Sequence, residues 1–213
     1  MELMEQISAA LIEGKVREIE KLTQKALEAG KTAKEILDEG LIPGMDYVGV
    51  QFKKRSMFIP EVLLSARTMQ ASLSVLKPRF AESGTKMRGK IVLGTVKGDL
   101  HDIGKNLVGI MLEGAGFEVC DLGKDVDPET FVNAVKEEKP DIVGMSALLT
   151  TTIRTMQNTI NALAEAGIRD QVKIMVGGAP VTADFAKQIG ADGYGYGPDA
   201  VAAVALAKRF VSD

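Results

Sequence analysis

The sequence is poor in the residue types that mark disulfide frameworks, zinc clusters and nucleic-acid surfaces. It has one cysteine and no tryptophan, and aromatic residues make up 5% of the chain. A single cysteine, Cys120, excludes an internal disulfide framework and a zinc cluster of the paired-cysteine type. Few aromatic residues and a net charge of -3 argue against a base-stacking or phosphate-binding surface, so we expect no nucleic-acid partner.

Long apolar stretches are also absent from the sequence. No run approaches the roughly 18 residues that a membrane span needs, and we expect no membrane partner. The first residues, Met1 to Gln6, are acidic and amphipathic, which is unlike a signal peptide. A hydrophobic content of 46% is nevertheless enough for a packed core. The composition therefore predicts a soluble, cytoplasmic protein.

The first part of the chain, residues 1 to about 80, has helical periodicity throughout. Apolar residues recur at helical spacing between Lys15 and Ala29, and Gly30 is well placed to end that helix. The segment 32–35 is a capping box that predicts the start of another helix. After Pro60 a longer helix is indicated by an apolar stripe at Val62, Ala66, Met69, Leu73 and Leu76. We therefore predict a bundle of four or five helices as a first domain, residues 1–88, which would act as a cap.

The pattern changes after a polar stretch with glycines at 82–89, which is typical of a linker. Short apolar runs then alternate with helical stretches, at Ile91–Leu93, Phe117–Cys120, Ile142–Met145, Ile174–Val176 and, more weakly, Asp192–Tyr194. Alternating strands and helices imply right-handed crossovers and a parallel sheet. We predict an α + α/β protein whose second domain, residues 89–213, is a flavodoxin-like, doubly wound, five-stranded parallel sheet in the order 2-1-3-4-5.

Candidate functional residues follow three of the predicted strands. They are Asp99, His101 and Gly104 after strand 1, Ser146 and Leu148 after strand 3, and Gly177 and Gly178 after strand 4. In a doubly wound sheet these strand ends meet at the ligand crevice. Taken singly, each residue has an ordinary explanation as a loop histidine, a helix cap or a turn glycine. Together they indicate one ligand site, in which His101, the only histidine of the chain, is the obvious nitrogen ligand to a metal.

The spacing of these residues resembles a known signature. Asp99-x-His101-x-x-Gly104, then Ser146-x-Leu148, then Gly177-Gly178, is similar to the pattern of proteins that bind cobalamin base-off with a histidine on cobalt. The whole chain, helical half included, resembles the corrinoid proteins of methyltransferase systems and the cobalamin-binding module of methionine synthase. The resemblance implies a cobalamin cofactor, which would be methylcobalamin in the loaded state.

The resemblance also implies roles for individual residues. His101 would replace the dimethylbenzimidazole tail as the lower ligand of cobalt. Asp99 would accept a hydrogen bond from the second ring nitrogen and fix the tautomer. The family usually has a serine hydroxyl behind this carboxylate, and the matching residue here is Thr152, which keeps the hydroxyl. These three residues form the expected catalytic set.

The remaining cofactor contacts implied by the resemblance fall into three groups. The loop around the histidine contributes Gly98, Leu100, Asp102, Ile103 and Gly104. Room for the displaced nucleotide tail would come from Gly177 and Gly178, with further contacts from Ser146, Leu148, Thr150 and Ala179. A segment similar to the methionine synthase cap would shield the upper face through Phe52, Ile59 and Val62. These three apolar residues fit an ordinary bundle core equally well.

The function implied by the resemblance is that of a methyl carrier rather than a complete enzyme. A substrate-specific methyltransferase would load the cobalt, and a second methyltransferase would pass the methyl group to tetrahydrofolate or coenzyme M. A reductive activator is also implied, because cobalt(I) oxidises easily. The cap would move aside during transfer, with motion about residues 82–89. The sequence leaves the donor open among methylamines, methanol, aryl methyl ethers and quaternary amines.

Other functions share parts of this pattern. A cobalamin-binding sensor or regulatory module has the same motif, but the sequence has no evident DNA-reading helix-turn-helix and its net charge is acidic. The small subunit of an adenosylcobalamin mutase is disfavoured by the cap-like segment, because an adenosyl group needs more room above cobalt. A phosphorelay receiver shares the fold class alone and leaves the spaced motif unexplained.

Overall fold

The structure, a computed structural model, describes residues 2–83, 87–195 and 200–212. The chain forms two compact units, of which the first comprises Met1–Met87 and Glu113–Gly116, and the second Arg88–Leu112 and Phe117–Asp213. The division into two domains with a boundary between residues 88 and 89 stays a prediction. The expected linker at 82–89 falls partly on residues 84–86, which lie outside the described residues.

The first unit is helical, as the periodicity predicts. Its elements are α1 Leu3–Ile12, α2 Val16–Glu28, α3 Ala33–Glu35, a π-helical segment Ile36–Leu41, α4 Ile42–Lys53 and α5 Ile59–Ser83. The capping box starts α3, because Thr32 Oγ1 accepts from the N–H of Glu35 at 3.1 Å and Glu35 accepts from the N–H of Thr32 at 2.8 Å. The predicted stripe of α5 is buried along its whole length, from Val62 to Leu76. Burial of this stripe, against α2 above all, stabilises the unit.

The second unit contains a parallel sheet with helices between its strands. The strands are β1 Lys90–Thr95, β2 Glu118–Asp121, β3 Ile142–Ser146, β4 Lys173–Gly177 and β5 Gly193–Gly195, in the order β2-β1-β3-β4-β5. The helices are α6 Ile103–Gly114, α7 Pro128–Glu138, α8 Arg154–Glu165, α9 Ala183–Gln188 and α10 Ala200–Phe210, with a 3-10 turn at Arg169–Gln171. The predicted fold class and strand order are confirmed.

Four strands of this sheet end at one level. Thr95 pairs with Ser146, Ser146 with Gly177, and Gly177 with Gly195. The loops that follow β1, β3 and β4 therefore start from a single row of residues across the sheet. This row positions the functional residues that the sequence predicts after those three strands. Among the described residues, none of the helices combines the length and apolar character that crossing a membrane requires.

Candidate functional site

A buried carboxylate organises the loop after β1. Asp99 has no exposed surface, and its oxygens accept hydrogen bonds from five donors. Oδ1 accepts from the backbone N–H of His101 at 3.0 Å and lies 2.7 Å from its Nδ1. Oδ2 accepts from the N–H of Leu148 at 2.7 Å, from the N–H of Leu149 at 3.2 Å and from the Thr152 hydroxyl at 2.7 Å. One side chain thus ties the loop after β1 to the loop after β3.

These hydrogen bonds keep Asp99 ionised. Burial is the largest single influence, and by itself it raises the pKa of Asp99. The hydrogen bonds from Thr152, from the N–H of Leu148 and from His101 together outweigh burial and hold the pKa of Asp99 well below its usual range. An ionised carboxylate only accepts hydrogen bonds, so Nδ1 of His101 carries the proton in this contact.

Because Nδ1 of His101 carries the proton, the other ring nitrogen, Nε2, is available to bind a metal. In a neutral imidazole protonated at Nδ1, the lone pair is on Nε2. The side chain is 50% exposed, so the ring is not enclosed by the protein. A carboxylate bonded to the far nitrogen fixes the orientation of a metal-binding histidine and raises its basicity. Asp99 and His101 therefore form a prepared site for one coordination position of a metal.

Asp125 is a residue of this site that sequence reasoning missed. Its carboxylate accepts from the N–H of Gly98 at 2.7 Å, and its own N–H donates to the C=O of Asp99 at 3.1 Å. Asp125 has a φ of 56°, a left-handed conformation that aspartate tolerates better than most residues. Only the turn-forming sequence Gly123-Lys124-Asp125 could have signalled it. Through these two hydrogen bonds, the loop between β2 and α7 fixes the backbone of Gly98 and Asp99. Asp99 in turn orients His101.

An ion pair between a buried lysine and an exposed aspartate fixes the helix that follows His101. Lys105, in the first turn of α6, is 3% exposed, and its Nζ lies 2.6 Å from Oδ1 of Asp121 at the end of β2. The same Nζ donates to Oδ1 of Asn106 at 2.7 Å. A lysine is rarely buried without a partner, and here the carboxylate and the amide oxygen supply the acceptors.

A cavity of about 360 Å³ lies beside His101 at the carboxyl end of the sheet. Its lining includes ten of the predicted residues: Leu100, His101, Asp102, Ile103, Gly104, Ser146, Leu148, Gly177, Gly178 and Ala179. Sequence reasoning missed four small residues of the lining, Gly144, Ala147, Gly195 and Ala203. Gly144 could have been found from the sequence, because a glycine inside the apolar run of a strand often marks a place where a ligand or another backbone approaches closely. The cavity falls in the size range of small-molecule sites, roughly 300–1,000 Å³.

Other predicted residues lie outside the lining of this cavity. Gly98, Asp99 and Thr152 stand behind His101 in the hydrogen-bonded frame. Thr150 is exposed and does not line the cavity. In the first unit, Ile59 is exposed, Phe52 is half-buried and Val62 is fully buried, so their role in a cap stays a prediction.

Similarities to known proteins cover the whole length of the chain. A family model described as a B12 binding domain matches residues 89–205, and a second model with that description matches residues 3–77. The chain is 48% identical to the trimethylamine corrinoid protein 2 of Methanosarcina mazei, over 88% of each chain. It is 43% identical to the dimethylamine corrinoid protein 2 of Methanosarcina acetivorans, over 99% of this chain and 96% of the relative.

The same similarity appears in solved structures. The crystal structure of the methanol:cobalamin methyltransferase complex from Methanosarcina barkeri contains a chain that superposes with a TM-score of 0.87. The sequence identity is 34%, and the match covers 99% of this chain and 80% of that chain.

The site geometry predicts the tautomer of His101 in the ligand-free protein. The neutral ring should carry its proton on Nδ1, and two-bond proton–nitrogen correlation NMR reads this directly because the chain has a single histidine. Asp99→Ala removes the acceptor, so the ring should revert to the Nε2-protonated form that free imidazole side chains prefer. Asp184→Ala, which removes an exposed carboxylate on α9, should leave the tautomer unchanged. A ring protonated on Nε2 in the unaltered protein would refute the assignment.

Proposed function

Because the chain belongs to the family of corrinoid proteins built from B12-binding domains, we infer that it carries methyl groups on the cobalt of a corrinoid. When bound, the corrinoid supplies a cobalt centre that accepts and gives up the methyl group. The observation that carries this conclusion is the Asp99–His101 pair, which presents one imidazole nitrogen to a metal. A metal already held by a macrocycle can be bound by the protein through a single ligand.

The described residues fit such a cofactor. The lining beside His101 includes Gly177, Gly178 and Gly195, which have no side chains and so leave room for a ligand against their backbone. Gly104 adds to this fit, because a Cβ built there meets no atom within 4 Å. Both features are those of a surface shaped to receive a ligand rather than to pack against protein.

The residues of this chain have distinct roles in the proposal. His101 would hold the cobalt of the corrinoid through Nε2, and Asp99 orients the ring. Thr152 keeps the carboxylate ionised and in place through its hydroxyl.

The protein works with a methyltransferase, as the chain in the methanol:cobalamin methyltransferase complex does. In the full proposal a substrate-specific methyltransferase loads the carrier and a second enzyme passes the methyl group to tetrahydrofolate or coenzyme M. A reductive activator restores the carrier after oxidation. A cytoplasmic location and shielding of the upper face by Phe52, Ile59 and Val62 belong to the same proposal.

Methylated amines are the donor class that we propose first. The relatives reported above, which match 88% and 99% of this chain, are named for trimethylamine and dimethylamine. The same names favour a methyl carrier over a cobalamin-binding sensor.

Methyl loading tests the proposed function. Reduced, corrinoid-loaded protein should be methylated by trimethylamine or dimethylamine when a methyltransferase specific for that amine is present, and not by the amine alone. His101→Ala should slow this transfer by at least about tenfold, because it removes the axial ligand. Asp184→Ala serves as the matched control. Unchanged turnover of the His101→Ala protein would contradict the mechanism.

The identity of the axial ligand has a separate test. Electron paramagnetic resonance of the cobalt(II) form should show splitting from a protein nitrogen, and labelling the histidine with nitrogen-15 should change that splitting. Because the chain has one histidine, the label reports on His101 alone. Splitting that instead follows a label in the dimethylbenzimidazole base would disprove the assignment.

Gly104 should show a conflict between stability and binding. Gly104→Ala meets open space near the start of α6, so the ligand-free protein should gain about 0.5 kcal/mol in its free energy of unfolding. The added methyl group should lower corrinoid affinity, because it fills space that the cofactor occupies. Urea unfolding and corrinoid titration measure the two effects. Asn161→Ala on the exposed side of α8 is the control for helix propensity alone, and unchanged affinity of Gly104→Ala would place Gly104 away from the cofactor.

A further inference from the structure

Gly178 is in contact with protein backbone on the side where a side chain would point. Its φ is 124°, a conformation that residues with a Cβ rarely adopt. A Cβ built on Gly178 would lie 1.8 Å from the carbonyl oxygen of Ala147 and 2.9 Å from its carbonyl carbon. Gly177 differs, because a Cβ there would meet only the carbonyl oxygen of Gly195, at 3.3 Å. The two neighbouring glycines therefore face different constraints.

Ala147 begins the segment that supplies donors to Asp99. Ala147 is fully buried, and its N–H donates to the C=O of Gly177 at 3.2 Å. The next two residues, Leu148 and Leu149, donate their N–H groups to Oδ2 of Asp99 at 2.7 and 3.2 Å. We call residues 147–149 the donor segment. A displacement of Ala147 is passed directly to these two hydrogen bonds, because the donors are its covalent neighbours.

We propose that Gly178 is a positioning residue for His101, acting through the donor segment and Asp99, and that this role is separate from making room for a nucleotide tail. A side chain at residue 178 must push Ala147 from 1.8 Å to at least the 3.0 Å that real Cβ contacts keep. A hydrogen bond of 2.7 Å does not survive a shift of that size. Asp99 then loses the Leu148 and Leu149 donors on Oδ2 and keeps the Thr152 hydroxyl, so the acceptor that orients the imidazole is held less firmly. The proposal rests on the proposed function, since it concerns the same axial ligand.

Binding of cobalamin and of cobinamide can distinguish the two roles of Gly178, which are positioning His101 and making room for a nucleotide tail. Cobinamide has the corrin ring and cobalt of cobalamin but no nucleotide tail. Gly178→Ala should lower the fraction of histidine-coordinated cobalt(II) by about tenfold or more with both probes, because it weakens hydrogen bonds to a charged group. In the ligand-free variant, NMR should show neutral His101 as a mixture of tautomers. The matched variant Gly177→Ala should lower affinity for cobalamin more than for cobinamide and keep the Nδ1-protonated ring.

A different pattern would overturn the proposal. If Gly178→Ala keeps the wild-type tautomer and full histidine coordination of cobinamide while losing affinity for cobalamin, Gly178 only makes room for the tail. If Gly178→Ala does not fold, Leu148→Pro tests the same link, because it removes one N–H donor and leaves Gly178 intact. Wild-type behaviour of a folded Leu148→Pro protein would also overturn the proposal. Unaltered protein that binds neither corrinoid would instead contradict the proposed function.

Discussion

The Asp99 carboxylate is the constraint on which the rest of the site depends. An ionised group without exposed surface is costly unless it is fully hydrogen-bonded, and here donors from the loops after β1 and β3 satisfy it. The two loops are consequently held as one body, and the orientation of His101 is set by residues far from it in sequence. Asp125 extends this arrangement by holding the backbone of Asp99 from the loop after β2.

The sequence was sufficient to predict the secondary-structure elements and to place the candidate site residues after particular strands. Strands of a parallel sheet are covered on both faces, so they appear as short apolar runs, and the runs at β1, β3 and β4 were recognised for this reason. Asp99 and His101 belong to a spaced motif, Thr152 was assigned through the family resemblance, and the structure brings the three together. The helical stripe of α5 was equally visible, because its spacing reflects burial alone.

What the sequence did not reveal depends on contacts between distant segments. The role of Asp125 requires a left-handed backbone and the approach of two loops, neither of which leaves a periodic pattern. The Lys105–Asp121 pair joins a helix to a strand, and nothing in the sequence distinguishes Lys105 from a solvated lysine. Gly177 and Gly178 look interchangeable in sequence, whereas the surroundings of a Cβ at each position differ. Glycines in β3, β5 and α6 also weaken those elements, a loss of stability that a ligand site commonly accepts.

The hydrogen bonds that occupy both oxygens of Asp99 also affect which metals can bind beside His101. A free zinc or nickel ion needs several donors from the protein to bind tightly. Beside His101 the nearest carboxylate is Asp99, and its oxygens are already engaged by five donors, so it is not available to chelate. A free ion therefore finds a monodentate imidazole and binds weakly there. In the proposed function, a cobalt ion already held by a macrocycle would need only that one ligand, so the site would select its metal by denticity rather than by affinity for the element.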